Sequence, residues 1–170
     1  MKILSNGRKK VQKVAKIFLV VFCVFALLLA GCSGGKAEYD FRETNWGMSR
    51  DAVKASESAL MIGELEDEVF YYVKLYDQPF HCIYGFENGK LNRAAYIWQG
   101  TEVKLSNYIL SFGNLRDVLI KEYGKPAFDK LFPEVQYAES GWQKGNTNIV
   151  LSLTSTDNDP LLMIVFREKG

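Results

Sequence analysis

Phe80-His81-Cys82-Ile83-Tyr84-Gly85-Phe86-Glu87-Asn88-Gly89-Lys90-Leu91-Asn92-Arg93-Ala94-Ala95-Tyr96-Ile97-Trp98 is the stretch that decides the fold. Two runs rich in β-branched and aromatic residues flank Asn88-Gly89, the dipeptide that most readily supplies the positive φ needed at both central positions of a type I′ turn. The reading is a hairpin of two strands, Phe80 to Phe86 and Leu91 to Trp98. Upstream, Val69 to Tyr76 has the same composition and joins the hairpin across Asp77-Gln78 as a third strand. Before that, Ser49 is placed to cap a short helix reaching about Ser58, with Asp51 in the first turn where a negative charge suits the helix dipole. Downstream, Tyr108, Phe112, Leu115, Leu119 and Tyr123 recur at spacings of 4, 3, 4 and 4, one face of a second helix on which Val118 is also expected. Gly124-Lys125-Pro126 ends it, because glycine suits the left-handed position after a helix and proline cannot continue one.

Three more strands follow at Gln136 to Lys144, Asn148 to Thr154 and Leu161 to Arg167, separated by Gly145-Asn146 and Asp157-Asn158-Asp159-Pro160. The order helix, three strands, helix, three strands predicts an α+β fold made of two helix-plus-three-strand antiparallel repeats, about 41–100 and 101–170, with the helices packed on one face of the sheet. Phe80 to Trp98 and Asn148 to Phe166 share one layout at an offset of 68, and Arg50-Asp51 and Arg116-Asp117 sit in the two helices at an offset of 66.

The first 31 residues are of another kind. Six of the 21 basic residues fall there and no acidic one does, which leaves 15 basic against 20 acidic and a net charge of −5 for the rest. Lys2, Arg8, Lys9, Lys10, Lys13 and Lys16 precede the unbroken apolar run Ile17 to Ala30, the pattern of an export signal. Fourteen helical residues span roughly 21 Å, short of the roughly 30 Å hydrocarbon core, so a permanent transmembrane helix fits less well. The run closes on Leu29-Ala30-Gly31-Cys32, which resembles the lipobox of bacterial lipoproteins. The resemblance implies cleavage before Cys32 and lipid attachment to its sulfur. With two or three acyl chains, each buried methylene contributing about 0.8 kcal/mol, the attachment to the membrane would be effectively permanent. Residues 32–40 then form a small, polar tether, and 41–170 a single domain. The location implied is extracytoplasmic, at the cell membrane or outer membrane, held by the lipid on Cys32. Ordinary signal-peptidase cleavage with Cys32 as a thiol is the alternative.

Gly47-Met48-Ser49-x-x-x-Val53 resembles the signature that opens the helical part of the SmpA/OmlA (BamE-like) small outer-membrane lipoproteins. That family continues with a Gly-x-Pro stop, which appears here only in the second half, six residues after Val118. The split points to a duplicated unit, and the arrangement looks like the β-lactamase-inhibitor-protein fold. The resemblance implies helices on one face of an antiparallel sheet in an exported protein that works through protein contacts. It carries no catalytic residue.

Composition narrows the chemistry further. Hydrophobic content of 48% excludes a disordered chain, and the acidic balance of the mature part argues against nucleic acid as a partner. His81 is the sole histidine and lacks a nucleophile elbow or an orienting acid beside it. Cys82, the one cysteine left after Cys23 is removed and Cys32 lipidated, reads as a small buried hydrophobe. No histidine or cysteine pair has metal-ligand spacing, no phosphate loop is present, and no cofactor is expected. Glu64-Leu65-Glu66-Asp67-Glu68 and Asp157-Asn158-Asp159 hold carboxylates without the loop that organises them around Ca²⁺, and read as solvated charge and turn chemistry.

The aromatic strands are the most informative irregularity. Ile149, Leu151 and Leu153 alternate with Asn148, Val150, Ser152 and Thr154 and should face the helices, the second set facing water. At an offset of 68 their water-facing neighbours map onto Phe80, Cys82, Tyr84 and Phe86, an apolar strip that Tyr72 and Tyr76 extend into a partner-binding surface. A slip of one residue inverts the phase and puts these aromatics in the core with His81 outside. The function expected is a non-enzymatic binding or assembly module that takes a protein or an envelope polymer. The alternatives are a small envelope hydrolase using paired carboxylates, or an inhibitor of a secreted enzyme.

Overall fold

The hairpin around Asn88-Gly89 forms as predicted, with φ of 51° at Asn88 and 72° at Gly89. In the computed structural model of the protein, residues 38–100, 104–132, 137–156 and 159–170 are described. The export signal, Cys32, the tether as far as Ala37 and the Asp157-Asn158 turn lie outside the described residues. The elements are α1 (Arg50–Ser56), β1 (Leu60–Glu64), β2 (Glu68–Leu75), β3 (Gln78–Glu87), β4 (Lys90–Trp98), α2 (Leu105–Tyr123), β5 (Phe128–Phe132), β6 (Tyr137–Lys144), β7 (Thr147–Thr156) and β8 (Asp159–Glu168). All eight strands join one sheet in the order β1-β2-β3-β4-β8-β7-β6-β5, every pair antiparallel.

The fold is α+β and mostly sheet. Each helix is followed by a meander of four strands, not three, and the two meanders meet where β4 pairs with β8, Tyr96 opposite Ile164. The extra strands β1 and β5 are the two edges of the sheet. A strand that is exposed along nearly its whole length has no buried face to impose alternation on its sequence, so Leu60–Glu64 and Phe128–Phe132 carry no period-2 signal.

Directly paired residues share a face, so the core can be followed along one row from strand to strand. Tyr71, Cys82, Tyr96, Ile164, Leu151 and Ser140 oppose one another in turn, and all six are buried. Val53 of α1 and Tyr108, Phe112, Leu115 and Leu119 of α2 belong to the same hydrophobic cluster as these strand residues, which puts both helices on that face. The α2 stripe is thus the predicted one, with Tyr123 partly buried against it, whereas Val118 is only half-buried beside it. Gly124 takes φ of 82° after the helix and donates its N–H to the Ile120 carbonyl at 2.8 Å.

Two cores in phase need two different offsets. Buried Phe80, Cys82 and Tyr84 of β3 correspond to buried Ile149, Leu151 and Leu153 of β7, one residue beyond the offset of 68. Buried Ala94 and Tyr96 of β4 correspond to Leu162 and Ile164 of β8 at 68 itself. The difference is a bulge: Gly85 pairs with Arg93 and Phe86 with Leu91, leaving Asn92 as an extra residue in β4. The β7–β8 hairpin runs in unbroken register. A single offset cannot serve both strands of the first hairpin, and the aromatic side chains follow the inverted phase.

Candidate functional site

The structure separates the five aromatic residues expected on one binding strip. Phe80 and Tyr84 are fully buried and Phe86 is 3% exposed, so they belong to the core and form no aromatic strip on the sheet surface. Tyr72 and Tyr76 are exposed, but on different surfaces. Tyr72 pairs with half-buried His81 on the sheet face opposite the helices. Tyr76 sits in the β2–β3 turn at φ 51°, and its hydroxyl donates to Glu122 of α2 at 3.3 Å.

Tyr84 has an inward role that sequence reading missed. Its hydroxyl donates to Glu57 Oε2 at 2.7 Å, and Arg42 grips the same carboxylate through Nε at 2.7 Å and Nη2 at 2.9 Å. The Ala59 N–H donates to the other oxygen at 2.9 Å. Burial alone raises the pKa of a carboxyl, but these bonds outweigh it and hold Glu57 below its ordinary value. Burial pushes the phenols of Tyr84 and Tyr96 up, and the Cys82 thiol up to about 12, which leaves a neutral, unreactive thiol. The cluster ties Arg42 in the segment before α1 to the end of that helix and to β3, a structural lock.

The acidic run also proves to be occupied from within. Arg50 of α1 donates to the Leu65 carbonyl at 2.7 Å and to that of Glu66, lies over the Phe86 ring at 5.2 Å and approaches Glu64 at 3.9 Å. Its counterpart Arg116 of α2 grips Asp129 of β5 through two bonds of 3.1 and 2.5 Å, and Ser140 donates to the same carboxylate. The arginines of the repeated Arg-Asp dipeptides therefore supply a similar device twice, a helix arginine tied to the first strand of its own meander or to the turn just after it. Among the described residues no group of three or more His, Cys, Asp or Glu side chains could hold a metal ion.

One concavity stands apart from these internal bonds. α1 packs near the Lys90 end of β4, where the Leu91 N–H donates to the Met48 carbonyl and the Gly47 N–H donates to the Leu91 carbonyl, while α2 packs over β6, β7 and β8. The opposite end of the first hairpin, at Phe80 and Trp98, faces α2 across a cavity of about 550 Å³. This volume lies within the range of roughly 300–1,000 Å³ typical of ligand sites. Tyr76, Phe80 and Trp98 line it from the sheet side, and Leu110, Leu115 and Val118 from α2. Gln78, Gln99, Asn107, Ser111 and Asn114 supply its polar groups, and among the described residues none that lines it is Asp, Glu, Lys, Arg, His or Cys. Trp98 meets Tyr108 edge to face at 4.6 Å, and a methyl group at Gly100 would strike the Trp98 ring, so Gly100 is what lets the chain fold over it. The indole Nε1 of Trp98 is buried without a hydrogen-bond partner. No periodicity marks this cavity in the sequence, because its lining joins a turn, a strand end and the outer side of a helix.

Among the described residues no helix is long and apolar enough to cross a membrane. No protein-family model matches the chain, and neither does any curated protein. Among solved structures, it is similar to a DUF4309 family protein (YjgB) from Bacillus subtilis subsp. subtilis str. 168, with 14% identity, 78% of this chain and 86% of that chain covered, and a TM-score of 0.46.

Proposed function

We propose that the chain is a lipid-anchored protein of the cell envelope that works as a non-enzymatic binding or assembly module, its ligand taken up in the cavity between α2 and the β2–β3 turn. The observation that carries the reading is the lining of that cavity: aromatic and aliphatic side chains with amides and hydroxyls, the composition of a recognition site, with no carboxylate, histidine, lysine or cysteine among the described lining residues to activate a nucleophile. The anchor rests on the sequence, on Leu29-Ala30-Gly31-Cys32 at the end of an apolar export segment. Beside it stands the −5 charge of the mature part, which disfavours nucleic acid and leaves a protein or an envelope polymer as the partner.

Two measurements test the two halves of the proposal. Metabolic labelling with a fatty-acid analogue should mark the wild type and not Cys32→Ala; a labelled mutant refutes the anchor. Photo-crosslinking in cells, with the photoreactive residue at exposed Leu110 on the cavity wall and a control at exposed Leu60 on the sheet edge, tests the site. Capture from position 110 alone supports it. Absence of capture from position 110 in a folded protein, or equal capture from both, refutes it.

A further inference from the structure

Two features of the cavity narrow its ligand beyond the proposed binding role, on which this step rests. The first is charge. Among the described residues Tyr76 is the only titratable group in the lining, and its phenol, donating to Glu122 and pushed up to about 12 chiefly by burial, stays neutral. An ionic ligand taken out of water there would meet no counter-charge among the described lining residues, which is unfavourable by several kcal/mol. The second is the state of the polar groups. Among the described residues Gln78, Ser111 and Asn114 make no side-chain hydrogen bond within the protein, although all three line one cavity. A planar amide presents a donor and an acceptor side by side, a match for another amide or for neighbouring hydroxyls.

The cavity also carries the rings of Tyr76 and Trp98. A pyranose is hydroxylated around its rim and bears C–H groups on its faces, so it satisfies an aromatic wall and a set of amides together. Leu110 and Val118 provide an apolar wall for a methyl group. An extended peptide fits less well. The backbone of Gln78, Pro79 and Phe80 is already paired with Leu75, Lys74 and Val73 of β2, Phe80 also with Trp98, and Pro79 has no N–H, so no strand can be added there. We infer that the cavity binds an uncharged oligosaccharide of N-acetylated hexosamine, its acetamido group held between the amides of Gln78 and Asn114 and the Leu110–Val118 wall.

The test is a calorimetric titration of the full chain in detergent micelles with the tetramer of N-acetylglucosamine, set against cellotetraose, which has the same linkage without the acetamido group. Saturable binding of the first, at least about tenfold tighter than the second, is expected, since one lost hydrogen bond accounts for roughly that factor. Asn114→Asp puts a carboxylate into the neutral lining at an exposed position and should weaken binding at least about tenfold, whereas Tyr72→Asp on the opposite sheet face should leave it unchanged. Trp98→Phe keeps a ring and should weaken binding with the near-ultraviolet dichroism of the fold retained. The inference is overturned by a folded protein that the tetramer does not saturate at millimolar concentration, by equal affinity for cellotetraose, or by an Asn114→Asp variant that binds like wild type. If the Leu110 crosslink persists through any of these, the binding role stands and only the ligand assignment falls.

Discussion

Replacing Glu57 by Gln tests whether the buried lock around Arg42 is energetically real. The carboxylate accepts four hydrogen bonds, two from Arg42, one from the Tyr84 hydroxyl and one from the Ala59 N–H, and its side chain is 3% exposed. Gln keeps one acceptor oxygen, enough for Arg42 Nη2 and Ala59, but it presents an NH₂ to Arg42 Nε and removes the charge. Hydrogen bonds to charged groups contribute about 1.5–3 kcal/mol, and removing one partner of a buried pair costs about 3–5 kcal/mol. The Arg42 side chain is 28% exposed and can regain part of its hydration, which puts Glu57→Gln at about 2–3 kcal/mol. At roughly 3–5 °C per kcal/mol for a domain of this size, Tm should fall by about 6–15 °C. Arg42→Met should cost more, about 3–4 kcal/mol, because the group it strands is the deeper one. Urea unfolding of both single variants and the double variant at pH 7 gives the coupling energy, expected at about 1.5–3 kcal/mol. The reasoning is refuted if the two changes add to within about 0.5 kcal/mol, or if Glu57→Gln is the more damaging of the two.

Three further outcomes follow from the same geometry. Leu119→Ala, at a side chain that is 2% exposed, should destabilise by about 2–5 kcal/mol in urea unfolding, while Val118→Ala on the half-open cavity wall should stay near 1 kcal/mol or below; equal losses would show the α2 stripe misplaced. Arg116 and Ser140 lower the pKa of Asp129, and Arg42 and Tyr84 outweigh burial to lower that of Glu57. A carboxyl depressed in the folded state stabilises above its unfolded pKa, so that stabilisation should be complete above about pH 5 and be lost as pH falls through the folded values; a thermal midpoint flat from pH 5 to 3 would contradict both bridges. The Cys82 thiol, buried and with its pKa pushed up to about 12, should escape alkylation at pH 8 in the folded protein and react in urea, and peptide mapping that finds it modified without denaturant would contradict its packing.

How far the sequence is legible depends on whether a residue's neighbours lie along the chain or across it. The Asn88-Gly89 turn, the Ser49 cap and the α2 stripe are local, and they form as read. Ser49 accepts from the Ala52 N–H at 3.3 Å, and the Gly47-Met48 pair before it takes φ of 82° at Gly47 so that its backbone can bond to Leu91. The edge strands are not local: Leu60–Glu64 and Phe128–Phe132 are strands because a neighbour pairs with them, and their own side chains are left exposed. The phase of the first hairpin fails for a finer reason. One residue, Asn92, bulges out of β4, and since side chains alternate with period two, that single residue reverses the face assigned to every aromatic before it.

That reversal moves the place where a ligand is to be sought. With Phe80, Tyr84 and Phe86 facing water, the first meander would present a flat aromatic surface; with them inside, the proposed site lies where its strands meet α2. α1 has 7 residues and α2 has 19, so the shorter helix leaves the Phe80–Trp98 end of its meander uncovered, and the longer one supplies the far wall. The cavity is therefore a product of the asymmetry between two otherwise similar halves. Filling it gives a direct experiment. Ser111→Trp puts bulk into the cavity from a half-buried position on α2. The fold should survive with a change in stability of about 1 kcal/mol or less, as expected of a substitution directed into open space. Ligand capture from position 110 should disappear. Capture that persists in folded Ser111→Trp would place the binding surface outside the cavity and return attention to the sheet face that carries Tyr72 and His81.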